Sequence, residues 1–299
     1  MFIYLTLASA ICINTIFNGI NNHAGKKWLR GNADRFLFLA FVNSAAAVVA
    51  VAMAVPRGIP SAGTFAFGAA MCVLLITQMV LGIRALATGP MALVNLIVCC
   101  SMLLPALSGA MFWGESVAAP QWAGIALMIV ALALCTGVFD KKESAANRGW
   151  VVMSLLTAIA TGCIGLLQKA FQKSGHPEEV AGFIAVFFVL AAIAAFIAWA
   201  VLKRNVKVEA PRLKIGPTFI GVTILAGVLL GGLNFINLWL VGVLPSVLFF
   251  PVHNGSVILL TALAGRFLFK EKMSRLQLLG FIAGVAAILL LGNIVSLFK

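Results

Sequence analysis

The chain has 299 residues, of which 63% are hydrophobic and only 10% are charged. A soluble domain carries about 25% charged residues, so this composition excludes a water-soluble globular protein. The net charge of +13 does not indicate nucleic-acid binding, because the basic residues fall in short loops between long apolar segments.

Ten apolar segments follow one another along the chain, and each is about as long as the 20 or so helical residues that cross a bilayer. The first lacks a basic leader and a small-residue cleavage site, so we interpret it as a span and not as a cleaved signal. The loops leave no sizeable aqueous domain. The sequence therefore predicts an all-α integral membrane protein with spans at roughly 2–20, 36–55, 63–83, 91–113, 118–138, 150–168, 180–202, 217–240, 246–268 and 276–297.

Basic residues are concentrated in one of the two alternating sets of loops. Five alternate loops contain 17 of the Lys and Arg residues, whereas the opposite loops and the two termini contain four. Because Lys and Arg concentrate in cytoplasmic loops, this asymmetry predicts an orientation. It places loops 21–35, 139–149, 203–216 and 266–275 in the cytoplasm and both termini outside.

The chain contains an internal duplication. Residues 103–109 return as 259–265 with five of seven positions identical, and Glu115, Gln121 and Gly124 return as Glu271, Gln277 and Gly280. The boundary falls in a charged loop, so we assign residues 1–139 and 149–299 to two five-helix repeats joined by the linker 140–148. Because five is odd, the second repeat crosses the membrane in the opposite sense. This 5+5 inverted-topology repeat predicts a substrate site near the midplane.

Two pairs of residues in the duplicated segments are candidates for helix breaks or gates. Glu115 and Glu271 precede helix starts, where the helix dipole favours a carboxylate, so each is either a structural cap or a gating residue. Pro105 and Pro251 interrupt the fourth and ninth spans. Such a break is tolerated where the backbone faces protein or a wet cavity, which makes these helices candidate cavity walls.

Polar side chains inside the spans are the candidate substrate-binding groups, because they are costly in a membrane. Most are amides, which donate and accept hydrogen bonds and suit hydroxyl, carboxylate or zwitterionic substrates. Hydrogen bonding between helices is the alternative role. The duplication aligns Gln78 with Asn234, predicting two amides at matched depth. The full set is Asn14, Asn18, Gln78, Asn95, Gln168, Lys169, Asn234, Asn237, His253 and Asn254.

Two members of this set are ionisable. His253 titrates near neutral pH and is a candidate for coupling transport to protons, or else a neutral hydrogen-bond partner. Lys169 lies near the end of the sixth span. Either its ammonium extends to the membrane interface, or it attracts anionic substrates at the mouth of a cavity.

Nothing in the spans predicts an enzyme. They contain one histidine and no carboxylate, and the six cysteines form no CxxC pair. We therefore expect no catalytic residue, no metal site and no cofactor. The expected partners are a small-molecule substrate and the lipid bilayer, with protons as a candidate coupling ion, and the chain is expected to be a monomer or a homodimer.

The paired segments 86–138 and 242–297 share a further pattern. Each contains a span, a glycine (Gly109 or Gly265), a glutamate, and then Gln and Gly at the start of the next span. In this the chain resembles the drug/metabolite transporter superfamily, in its ten-helix form with two EamA-type domains. The resemblance implies a central cavity, alternating access for small solutes, and the cytoplasmic (inner) membrane of a bacterium. Two-domain members usually have cytoplasmic termini, opposite to the orientation that the loop charges predict.

The expected function is secondary active transport of a small neutral, zwitterionic or anionic metabolite, such as an amino acid or a sugar. Small multidrug exporters of the same superfamily use a carboxylate in mid-membrane, and the absence of one from the predicted spans disfavours that mechanism. A flippase for a lipid-linked substrate is the alternative.

Overall fold

The computed structural model describes residues 2–29, 31–88, 97–98, 100–135, 149–174, 176–204, 215–268 and 275–291. Over these residues the secondary structure is helical and contains no strand. The α-helices of the described part are α1 (Phe2–Lys27), α2 (Asn32–Ala54), α3 (Ala62–Thr88), α4 (Leu103–Phe112), α5 (Ala119–Cys135), α6 (Gly149–Gln172), α7 (Val180–Arg204), α8 (Pro217–Val243), α9 (Ser246–Leu268) and α10 (Arg275–Leu291).

Six helices of the described part are long and apolar enough to cross a membrane, namely α1, α2, α3, α6, α7 and α8. The described parts of α4, α5 and α10 are apolar but shorter. An all-helical protein with several membrane-spanning candidates is therefore confirmed. The count of ten spans and the 5+5 repeat stay predictions, and linker 140–148 lies outside the described residues.

The chain divides into two compact units, which are described separately. Unit 1 contains residues 1–76 and 171–239, and unit 2 contains residues 77–170 and 240–299. Helices α3, α6 and α8 contribute residues to both. These units do not coincide with the two sequence repeats, whose assignment stays a prediction.

In unit 1, small residues allow helices to pack closely. A Cβ on Gly227 of α8 would overlap Ala45 and the Val42 carbonyl oxygen of α2, and Gly231 contacts Ala46 one turn further along. The spacing of these glycines places both on one face of α8. The close approach of α2 and α8 at Gly227 therefore depends on the missing side chain of that residue.

Aromatic rings fill the space beside α7 in the same unit. The Phe171 and Phe183 rings stack with centroids 4.3 Å apart, and Phe187 lies edge-on to Phe183 at 5.3 Å. All three side chains are fully buried. Offset or tilted aromatic pairs of this kind add to the stabilisation from burial alone.

The start of α3 is fixed by a carboxylate from another part of unit 1. Glu179 accepts hydrogen bonds from the Ser61 backbone N–H at 2.9 Å and from its hydroxyl at 2.8 Å. The Thr64 hydroxyl also bonds to Glu179 and is the largest influence that lowers the pKa of this carboxyl, followed by the bonds from Ser61. The turn before α7 is thereby tied to the N-terminus of α3.

In unit 2, α5 packs along α10 and α4 packs along α9. Gly124 of α5 lies against Leu291 and the Ala287 carbonyl of α10, where a Cβ would lie 2.9 Å from the Leu291 side chain. Gly165 of α6 lies against Phe250 and Pro105 with a similarly short approach. Pro105 is in the first turn of α4, directly after a 3₁₀ segment at Cys100–Met102, so its missing N–H lies next to the change from 3₁₀ to α geometry.

We expect Gly227→Ala to destabilise the protein by about 1–3 kcal/mol, because the new methyl group would meet the α2 backbone. The matched control is Gly221→Ala on the same helix, where a Cβ would meet nothing within 4 Å. That control should be neutral or stabilising by up to about 1 kcal/mol, because alanine favours helix. Thermal unfolding in detergent measures both. Equal effects would contradict close packing at Gly227.

The lowered pKa of Glu179 predicts that the stability of the protein depends on pH. Because its folded-state pKa is lowered, its contribution to stability is full above the ordinary glutamate pKa of about 4.3 and is lost as the pH falls through the lower folded-state pKa. Thermal unfolding between pH 6 and pH 3 should therefore show a shallower acid decline in Glu179→Gln. Glu178→Gln, at the exposed neighbouring position, is the control and should keep the wild-type decline.

Candidate functional site

Unit 2 contains an ion pair buried among apolar helices. The Lys169 ammonium lies 2.8 Å from Glu115 Oε1, and the two side chains are only 3% and 14% exposed. Lys169 belongs to α6, and Glu115 follows α4. With Ser246 at the start of α9, these residues form what we call the charge cluster.

Both ions of the charge cluster face helix ends of the opposite partial charge. The Lys169 ammonium donates to the Val241 and Leu244 carbonyls at 3.0 and 3.2 Å, where α8 ends. Glu115 accepts from the Ser246 backbone N–H at 2.6 Å, where α9 begins. Helix termini leave these carbonyl and N–H groups unpaired and carry partial charges that favour a cation and an anion respectively.

Two glycines make it possible for the Glu115 carboxylate to lie in this position. Gly114 has φ +63°, a left-handed conformation that turns the chain after α4. A Cβ on Gly109 would overlap Glu115 Oε2 and lie 2.9 Å from Ser246 Cβ. The glycine shared by the duplicated segments thus leaves space for the carboxylate, and the Glu115 N–H donates to the Gly109 carbonyl at 3.0 Å.

His253 and Asn254 lie on α9 beyond Pro251, which is inside the helix. His253 is 4% exposed, its ring stacks on Phe249 with centroids 5.3 Å apart, and its Nδ1 lies 3.1 Å from Asn254 Oδ1. Since that contact calls for a hydrogen on Nδ1, Nε2 is an acceptor in the neutral ring. Among the described residues this Nε2 has no hydrogen-bond partner.

The side-chain amides of unit 1 differ in their hydrogen bonding. Asn234 donates to the Leu230 carbonyl of its own helix at 2.9 Å. One turn away, the buried Oδ1 of Asn237 has no partner in the described part of the chain. Asn14 and Asn18 are half-buried on α1.

The remaining predicted residues are not gathered at one place. Gln168 is buried next to Lys169, and Gln78 is half-buried on α3. Because Gln78 belongs to unit 2 and Asn234 to unit 1, their proposed pairing stays a prediction. Asn95 and Glu271 lie outside the described residues.

Three polar contacts were not predicted from the sequence. Ser246 supplies the N–H that binds Glu115, and Gln172 of α6 donates to the Leu238 carbonyl of α8 at 2.8 Å. Gln121 accepts from the Ala118 N–H at 3.0 Å and so caps α5. The available signals were the spacing of Lys169 and Gln172 by one helical turn and the proline before Ser246.

One group of potential metal ligands lies in the described residues. Donor atoms of His176, Glu178 and Glu179 lie within 4.8 Å of one another in the turn before α7. The Glu179 carboxylate already accepts the hydrogen bonds that fix α3. We therefore assign no metal to this group.

Comparisons with known proteins define the fold and no activity. No family model matches the chain. An uncharacterized protein of Haemophilus influenzae is 29% identical over 194 residues, covering 63% of this chain and 62% of that relative. A solved crystal structure aligns over 99% of this chain and 98% of its own, with a TM-score of 0.72 and 17% identity, which shows a shared fold alone.

Breaking the charge cluster should destabilise the protein strongly. We expect Lys169→Met to cost about 3–5 kcal/mol, because it leaves the Glu115 charge buried and unpaired. The matched control is Lys173→Met one turn later, at an exposed position, which should change stability by less than about 0.5 kcal/mol. Unfolding in detergent measures both variants.

A double-mutant cycle isolates the interaction within that pair. Lys169→Met with Glu115→Gln should cost less than the two single changes added together, by about 1 kcal/mol or more. Strict additivity would show that Lys169 and Glu115 do not interact in the folded protein.

Proposed function

We propose that the protein is a secondary transporter of the drug/metabolite transporter type, which moves a small neutral, zwitterionic or anionic metabolite by alternating access. The buried Lys169–Glu115 pair is the single observation that most supports this function. Lys169 lies in a helix long and apolar enough to cross a membrane, and ionisable residues in such helices are rare and mark substrate or ion pathways.

Packing alone does not account for such a pair. Replacing a buried ion pair by apolar residues of similar volume is often neutral or stabilising, so the pair is weak evidence for a purely structural role. Here it joins the end of α8, the start of α9 and the segment after α4. In the proposed cycle these contacts hold one state closed, and their separation opens the other.

The helix termini that bind Lys169 and Glu115 are suited to such a switch. When the pair separates, Lys169 keeps the Val241 and Leu244 carbonyls and Glu115 keeps the Ser246 N–H as partners. Each ion therefore stays partly neutralised by a helix terminus. An opening of this kind costs less than exposing two bare charges to a low-dielectric interior.

Substrate contact is assigned to a polar atom of unit 2 that lacks a protein partner. His253 Nε2 is a buried acceptor without one in the described residues. A buried acceptor left unpaired costs about 1–3 kcal/mol, which a substrate donor would recover. Hydroxyl and ammonium groups supply such donors, consistent with sugars or amino acids. The inner membrane, and the orientation with both termini outside, belong to this proposal.

The proposal is tested in two stages. A thermal-shift screen of the detergent-purified protein against soluble metabolites identifies a ligand, because a compound that binds the folded state raises the melting temperature. Counterflow of that compound is then measured in proteoliposomes. Glu115→Gln should reduce counterflow about tenfold or more while keeping the ligand-induced shift, since it alters the proposed gate and not the binding atoms. Lys173→Met is the control and should transport normally.

Two results would overturn the proposal. If no soluble metabolite shifts the melting temperature and the protein scrambles a lipid-linked substrate, the flippase function replaces it. If Glu115→Gln transports at the wild-type rate, the charge cluster is not a gate. His253→Gln tests proton coupling separately, and unchanged proton-driven uptake in that variant would exclude His253 as the coupling residue.

A further inference from the structure

Unit 1 contains an open cavity of about 580 Å³, formed where α2 ends, α3 begins and α7 passes beside them. Every residue that lines it is apolar or glycine. The volume is within the range of about 300–1,000 Å³ typical of small-molecule sites. No polar lining group is present to orient a polar solute.

The walls belong to three helices that are long and apolar enough to cross a membrane. Val55, Ile59 and Phe65 at the opening are 71%, 97% and 53% exposed, whereas Ala54 and Ala185 form the buried floor. An apolar cavity is not hydrated favourably and takes up hydrocarbon where hydrocarbon is available. The natural occupant in a bilayer is therefore a lipid acyl chain.

The helices and the turn that form the wall are in close contact. A Cβ on Gly182 of α7 would lie 2.8 Å from Pro60 in the turn before α3, and one on Gly68 would lie 2.6 Å from Val186. The same turn is held by the hydrogen bonds from Ser61 to Glu179.

Charges of both signs adjoin, in the sequence, residues that line the cavity or bind its turn. Arg57 precedes the lining residue Gly58, is exposed, and uses one guanidinium nitrogen on the Met53 carbonyl at 3.3 Å. Glu178 adjoins Glu179, the residue bound to Ser61 in that turn, and its carboxylate is 68% exposed beside His176 at 3.5 Å. A guanidinium binds phosphate, and a carboxylate binds an ammonium.

We propose that this cavity is a specific site for a phospholipid whose headgroup carries both a phosphate and a primary ammonium, namely a phosphatidylethanolamine. One acyl chain lies along the cavity, Arg57 binds the phosphate, and Glu178 binds the ammonium. An anionic headgroup would meet the repulsion of Glu178 and Glu179, and a trimethylated ammonium offers no N–H to the carboxylate. This site is independent of the proposed transport function.

Native mass spectrometry of the delipidated full-length protein tests the assignment, with dioleoyl phosphatidylethanolamine, phosphatidylcholine and phosphatidylglycerol added in turn. We expect one phosphatidylethanolamine molecule to bind about tenfold more tightly than either other lipid, a difference of about 1.4 kcal/mol. Arg57→Gln should weaken phosphatidylethanolamine and phosphatidylcholine alike. Glu178→Gln should remove the preference between those two.

A cavity-filling variant separates this site from general lipid contact. Val189→Trp places an indole in the cavity wall and should reduce the bound phosphatidylethanolamine about tenfold. Val201→Trp, at an exposed position of the same helix away from the cavity, is the control and should bind normally. Equal binding of all three lipids, or no loss in Val189→Trp, would overturn the site. Tightest binding of phosphatidylglycerol would overturn the headgroup assignment.

Discussion

The ion pair between Lys169 and Glu115 is the constraint on which the arrangement of unit 2 depends. A lysine or an acidic residue at the centre of a spanning helix costs about 2.5–3.5 kcal/mol on insertion scales. In this protein each charge instead lies at a helix terminus with a partial charge of about half an elementary unit and of the opposite sign. Burial of the pair is tolerable because the backbone supplies its remaining partners.

The position of the pair in turn explains two glycines. The carboxylate reaches α9 only because Gly109 has no Cβ in its path and because Gly114 turns the chain with a positive φ. Gly109 is also one of the residues that the two duplicated segments share, and its counterpart is Gly265. In the first copy, this repeated glycine thus serves to place a charged group and not only to let helices pack.

The sequence predicted the helices well where composition changes sharply at their ends. The spans expected at 180–202, 217–240 and 246–268 correspond to helices Val180–Arg204, Pro217–Val243 and Ser246–Leu268. Proline or charged residues lie at those boundaries, and the length of the apolar run between them predicts the length of the helix. The fourth span is described only in part, and Pro105 lies in the first turn of α4 beside the 3₁₀ segment Cys100–Met102.

The site was less predictable, for a physical reason. Apolar periodicity places a residue along a helix but not against its neighbours, so Lys169 and Glu115 each had two open roles. An interfacial lysine requires an exposed ammonium, whereas Lys169 is buried and bound to two carbonyls. Its partner follows a different helix, and no local pattern connects them. The unpaired atoms of Asn237 and His253 depend equally on tertiary packing.

In the predicted repeat, the charge cluster has no complete counterpart in the other half. The offset that aligns Glu115 with Glu271 aligns Lys169 with Ile13, so the cation is present once and the carboxylate twice. In the proposed transporter, an ion pair of this kind would close one end of the pathway and have no symmetrical equivalent at the other. The two end states would then differ in energy even without substrate, and the resting population would favour the state in which Lys169 and Glu115 are paired. A substrate must supply enough differential binding energy to offset that preference. In such a transporter, the asymmetry between Lys169 and Ile13 would therefore set the resting state of the cycle.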